Sequence, residues 1–156
     1  MMVETTVNTK LLALALLICC NLSACGDPPA SPEESVRAWV AQGQQFAEDK
    51  ERSELMDMIS PAYTDARGNK RDDIENMFRL YFLRQQNIEL LTRIDNIEIF
   101  DATAATFELS VGMAATNEGV LGFSADAYNF EMELVLDDDD WLLISARWGE
   151  IGSEVH

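Results

Sequence analysis

The apolar residues of this chain change their spacing once, near Ile88, and that change restricts what the chain can fold into. Before it they recur every three to four residues, the period of a helix. After it they recur every second residue, the period of a strand. A single layer of either kind would leave an apolar face in water, so the helices must cover the strands.

In the helical half, Ser31 and Glu34 form a capping-box pair with Pro32 at the first helical position, a combination that opens a helix. Val36, Trp39, Val40, Phe46 and Ala47 then fall on one stripe, which predicts a helix to about Lys50. A shorter helix is predicted from Ser53 to Ile59, burying Leu55, Met56 and Ile59. Pro61 ends it, because proline disfavours helical geometry in the residue before it. After a turn at Gly68-Asn69, the acidic run Asp72-Asp73 and Glu75 repeats the capping pattern. Ile74, Met77, Phe78, Tyr81 and Phe82 line one side of this third helix, and Leu80 and Leu83 extend its apolar surface beyond that side. Being apolar on more than one side predicts that it is the central, most buried helix.

Four strands are predicted beyond it. Ile88 to Phe100 alternates with a slip of parity between Ile94 and Ile97, which predicts a bulge near Asp95-Asn96. Phe107 to Met113 and Tyr128 to Leu136 alternate cleanly, with one polar face each. The last strand, Trp141 to Trp148, is expected to point Leu142, Ile144, Ala146 and Trp148 inward. One polar face per strand marks an antiparallel sheet covered on one side. The expected class is α+β: three N-terminal helices packed on the concave face of a curved antiparallel sheet of about four long strands. Phe78, Phe82, Phe107, Phe130 and Ile144 are expected to share its core.

This order resembles the nuclear-transport-factor-two-like superfamily, the cone fold of ketosteroid isomerases, scytalone dehydratase and polyketide cyclases. The residues that carry the resemblance are Ser60 to Asp65 after the second helix, Tyr81 to Arg84 closing the third, and the strand Trp141 to Trp148. The resemblance covers roughly residues 31–149. It implies a pocket between sheet and helices, with Tyr63, Asp65, Tyr81 and Arg147 as the polar candidates for it. Ketosteroid isomerases of this fold use a tyrosine donor and two aspartates, one acting as base and one protonated. Here the first helix has no tyrosine and the closing strands put no aspartate on the apolar face, so that catalytic set does not carry over. A second reading makes Tyr63 and Asp65 a hydrogen-bonded pair that fixes a turn between two helices.

The N-terminal segment has a different character. Lys10 precedes an apolar run from Leu11 to Cys20, too short for a bilayer-spanning helix of about 20 residues and of the length of a signal-peptide core. Leu22-Ser23-Ala24-Cys25 matches the lipobox of bacterial lipoproteins at all four positions. The organisation expected is a signal peptide over 1–24, a lipidated tether over 25–30 starting at Cys25, one domain over 31–150 and a tail over 151–156. Pro28-Pro29 makes the tether stiff. Lipid attached at Cys25 would make the membrane a partner, and Gly26 in place of an aspartate after the cysteine points to the inner leaflet of the outer membrane, facing the periplasm.

Composition restricts the chemistry. Removing residues 1–24 takes away one base, Lys10, and one acid, Glu4, so the remainder keeps the net charge of −17. Such a field repels phosphate backbones and excludes nucleic acid as a partner. Cys19 and Cys20 lie in the discarded segment and Cys25 is acylated, so no thiol remains for catalysis, and the one histidine is the last residue, His156. Ser-His-Asp and Cys-His catalysis and the usual zinc sites are thereby excluded. Asp137 to Asp140 lacks the glycine and glutamate of a calcium loop and reads as a solvated hairpin turn. No metal or organic cofactor is expected. Two functions stay open: a non-catalytic module binding a protein partner or small apolar ligand, favoured by the missing catalytic groups, and a pocket enzyme of the isomerase or dehydratase type using Asp65 and a tyrosine.

Overall fold

The computed structural model describes residues 30–117 and 123–152. The signal segment, Cys25 and His156 lie outside the described residues, as does all of the tether except Ala30. Helices α1 (Pro32–Glu48), α2 (Arg52–Asp57) and α3 (Arg71–Arg84) precede strands β1 (Gln85–Phe100), β2 (Ala104–Asn117), β3 (Phe123–Asp137) and β4 (Asp140–Glu150). The strands pair as an antiparallel meander in the order β1-β2-β3-β4. The sheet is curved and unclosed, and the class is α+β as expected.

α1 begins as its sequence dictates. The Ser31 hydroxyl accepts from the Glu34 amide at 3.2 Å, and the Glu34 carboxylate accepts from the Ser31 amide at 2.7 Å, so two otherwise unpaired N–H groups at the helix start are satisfied. Val36 and Val40 are buried on its inner face, and Trp39 meets Phe107 of β2 edge-on at 6.0 Å. The core continues through Met56, Ile59, Tyr63, Leu134, Trp141 and Leu143.

α2 and α3 are tied together by Arg71, whose guanidinium donates to the carbonyls of Met56 at 2.8 Å and Ile59 at 3.1 Å. These carbonyls lie at and just beyond the C-terminal end of α2, where carbonyls lack partners within the helix. α3 starts two residues earlier than a cap at Asp72 would place it, with Lys70 as the cap residue and the Asp73 carboxylate accepting from the Lys70 amide at 2.9 Å. It passes into β1 without a loop. Lys50, at a left-handed φ of 59° just after α1, holds that junction by donating to the carbonyls of Gln85 and Gln86.

Two expectations are overturned. α3 is not the most buried helix: only Ile74 of its residues is buried, while Met77, Leu80 and Leu83 are 40%, 50% and 78% exposed. Beyond Ile74, which joins the core, Met77, Phe78, Tyr81 and Phe82 border empty space, and Leu80 and Leu83 face solvent. Ile144 does not point into the core, because the register steps from Glu133↔Ser145 to Leu134↔Leu143, leaving Ile144 as a bulge. The extra residue shifts parity, so Trp141, Leu143, Ala146 and Trp148 face inward. The bulge expected in β1 is present, between Ile94 and Asn96. Of the expected core phenylalanines, Phe107 is buried, Phe78 and Phe130 pack against the core, and Phe82 is half-buried, stacked on Phe78 at 5.8 Å.

Candidate functional site

The space beneath α3 is a cavity of about 440 Å³, within the range of small-molecule pockets. Every element contributes to its wall. α1 supplies Trp39, Gly43 and Gln44, α3 supplies Met77, Phe78, Tyr81 and Phe82, and the concave side of the sheet supplies Leu90, Met113, Tyr128 and Met132 among others. The inward residues of adjacent strands fall side by side because strand side chains alternate, so each cleanly alternating strand contributes one apolar row.

Few polar atoms reach this wall, and their partners are mostly local. The Gln44 side-chain amide donates to the Leu90 carbonyl at 3.1 Å, and its oxygen accepts from the Thr92 hydroxyl at 2.7 Å. Glu48, one turn on, accepts from the Leu90 amide at 2.8 Å. Together they clamp the end of α1 to β1. The Tyr81 hydroxyl donates to the Met113 sulfur at 3.0 Å. Burial, with the Asp126 carboxylate and Tyr128 as lesser causes, raises the Tyr81 phenol above its ordinary value. Tyr128 is raised likewise by burial, then by Asp126 and Glu150. Among the described residues lining the cavity there is no carboxylate, lysine, arginine, histidine or cysteine.

Of the four residues singled out from sequence, only Tyr81 lines this cavity. Tyr63 is packed in the core among α1, α2 and the sheet. Asp65 is buried but serves the chain around it: its carboxylate accepts from the Arg67 amide at 2.8 Å, the Asn69 amide at 2.8 Å and the Asn69 side chain at 2.7 Å. That is an aspartate-built turn closing at Gly68, which has φ of 82°. Arg147 sits on the opposite, convex face, paired with Glu131 directly across from it in β3. Its neighbours Phe130 and Met132 point to the cavity, so Glu131 must point away. The four candidates are thus not gathered: Tyr81 faces the cavity, Tyr63 lies in the core near the Asp65 turn, and Arg147 lies on the other side of the sheet.

The sequence reasoning missed Gln44, Thr92, Tyr128 and the methionines of the wall. One signal was available: Gly43 interrupts an otherwise good helix, at a cost of about 1 kcal/mol relative to alanine, on the face that turns to the cavity.

No family model matches the chain, and no curated relative does either. Solved structures do. A scytalone-dehydratase-like protein from Novosphingobium aromaticivorans superposes with a TM-score of 0.70 at 10% identity, covering 80% of this chain and 85% of that one. A dehydratase-like protein from Streptomyces avermitilis, of the nuclear-transport-factor-two-like family, gives 0.69 at 10% identity over 81% of this chain and 100% of that one. The fold is nuclear-transport-factor-two-like. A ketosteroid-isomerase-like protein from Erwinia carotovora atroseptica, with a TM-score of 0.62 at 10% identity and coverage of 76% and 95%, shares it. Identities this low carry the nuclear-transport-factor-two-like fold and not an activity, because one fold hosts many chemistries.

Proposed function

We propose that this chain is a lipid-anchored, periplasm-facing binding module that holds a small apolar ligand in the cavity of its cone without transforming it. The observation that carries the reading is the wall itself: about 440 Å³ of space bounded by aromatic, aliphatic and methionine side chains, with no ionisable group but two tyrosines among the described lining residues. Acid–base catalysis needs a group with a pKa near the working pH at hydrogen-bonding reach of the reacting atom. Tyrosines whose pKa values are raised are poorly placed for that at neutral pH.

The anchor rests on the lipobox ending at Cys25 and on the short apolar run before it. Acyl chains contribute about 0.8 kcal/mol per buried methylene, so two or more hold a domain of this size stably at a bilayer. Delivery to the inner leaflet of the outer membrane follows from Gly26 after the cysteine. Cys25→Ala is expected to shift the protein from the membrane fraction to the soluble one or to leave the precursor uncleaved. A lipid-free mature terminus in mass spectra of the wild type would overturn the anchor.

The likeness to dehydratase-like and isomerase-like structures favours a second reading, a pocket enzyme using Asp65 and a tyrosine. Asp65 would then have to leave the turn whose amides it accepts. Solvent extraction of the purified protein followed by mass spectrometry is expected to recover an apolar molecule unchanged by incubation. Turnover of a small substrate, lost in a folded Asp65→Asn variant, would favour the enzyme instead.

A further inference from the structure

The cavity has one end whose chemistry differs from the rest. Met113 and Tyr128 line it there, and the register places Asp126 directly across from Met113 and Glu150 directly across from Tyr128. Paired residues on neighbouring antiparallel strands project to the same face. Asp126 and Glu150 therefore stand on the concave face at the cavity's edge, beside the Tyr128 ring and near the Tyr81 hydroxyl. Both carboxylates are exposed, and neither is in an ion pair among the described residues. Asp126 also contributes to the raised pKa of both tyrosines, as a negative charge close to two phenols must.

Resting on the apolar-ligand reading, the geometry points to a narrower ligand class: an amphiphile with an apolar body in the cavity and a cationic head at the edge formed by Tyr81, Tyr128, Asp126 and Glu150. An anionic head finds nothing here. No lysine or arginine is among the described lining residues, and the net charge of −17 opposes approach of a second anion. A quaternary ammonium meets the opposite situation, with aromatic faces that attract a cation and carboxylates behind them. A neutral head gains neither.

Three probes that share one alkyl chain separate these cases: dodecyltrimethylammonium, dodecanol and dodecanoate, each titrated calorimetrically into the full chain below its micelle-forming concentration. The cation is expected to bind at one-to-one stoichiometry about tenfold more tightly than the alcohol, from two exposed charge pairs and an aromatic contact, and the carboxylate more weakly than either. Because any cation is drawn to an acidic protein, two double variants of equal charge are compared. Asp126→Asn with Glu150→Gln should bring the cation down to the affinity of the alcohol, and Asp101→Asn with Asp138→Asn, in the two remote hairpin turns, should leave the preference intact. Dodecanoate binding as tightly as the ammonium, or both double variants losing the preference equally, would overturn the cationic head while an alcohol that binds keeps the apolar cavity. Failure of all three probes to bind would overturn both.

Discussion

α1 and α3 lie over the same sheet, and the one with more large apolar side chains is the less buried. α1 carries a narrow stripe, and Val36 and Val40 on it are sealed against Phe107 and its neighbours. α3 carries a broad apolar surface, yet Leu80 and Leu83 face solvent while Phe78, Tyr81 and Phe82 look across a cavity. The difference is where each helix is held. α1 is fixed along its length by side-chain packing and by the Gln44–Thr92 and Glu48–Leu90 hydrogen bonds. α3 is pinned near its two ends, by Arg71 at the start and by Lys50 at the passage into β1. Between those pins it spans the space. A helix that bridges a cavity keeps its apolar residues for what enters, whereas a helix that closes a core spends them on the fold.

The largest expected effect lies under α1. Phe107→Ala removes a fully buried ring and the edge contact with Trp39, and large-to-small changes of this kind cost about 3 to 5 kcal/mol. Urea unfolding should show the midpoint falling with the slope unchanged. A loss near that of an exposed site would break the contrast between the two helices.

Alkaline pH sharpens the same contrast through two tyrosines. Burial first, and the Asp65 carboxylate second, raise the Tyr63 phenol well above its ordinary value of 10.0. The unfolded chain releases that proton from about pH 10 while the folded chain keeps it, so stability is level below pH 10 and falls above it by no more than about 1.4 kcal/mol per pH unit. Tyr63→Phe should flatten that decline. Tyr81→Phe, at a partly buried position on the cavity side of α3, should flatten it less, and the two slopes can be compared in denaturant titrations at several pH values.

The sequence was most legible where one rule acted alone. The capping box of α1, the alternation of β2 and β3, the bulge near Asp95 and the hairpin at Asp137–Asp140 follow from local chemistry, and the structure has each of them. Legibility failed where a residue's surroundings were set by something distant in the chain. The burial of α3 could not be read from its own stripe, because an apolar face looks the same whether it meets a side chain or a void. Ile144 was misplaced because a bulge in the last strand changes parity without changing the residues. The resemblance places Arg147 at the pocket, but Trp148 pairs with the inward Phe130, so alternation puts Arg147 on the convex face. Of the local reading of Tyr63 and Asp65, the turn is present, but the Asp65 carboxylate builds it with Arg67 and Asn69 rather than with the Tyr63 hydroxyl.

Gly43 supplies a smaller test on the wall shared by both helices. A β-carbon there would meet the Met58 methyl at 3.4 Å and its sulfur at 3.8 Å, ordinary contacts with the end of a flexible side chain. Gly43→Ala should therefore gain helix propensity without strain and stabilise by about 0.5 to 1 kcal/mol, read as a rise in the urea midpoint. Destabilisation would mean that the backbone of α1 approaches the sheet more closely at this point than its contacts indicate.

The smallest expected change is the most discriminating for α3. Leu80 is half-exposed, so Leu80→Ala forfeits little buried area and slightly improves helix propensity. Stability should stay within about 0.5 kcal/mol of the wild type, as for surface positions generally. A leucine in a tightly packed core would cost about 2 to 5 kcal/mol instead, so the two cases do not overlap. A loss above about 1 kcal/mol would show that this face of α3 is covered in solution, by a second molecule or by α3 settling toward the sheet. Repeating the measurement across a tenfold range of protein concentration separates those causes, because stability contributed by association depends on concentration and settling of one chain does not.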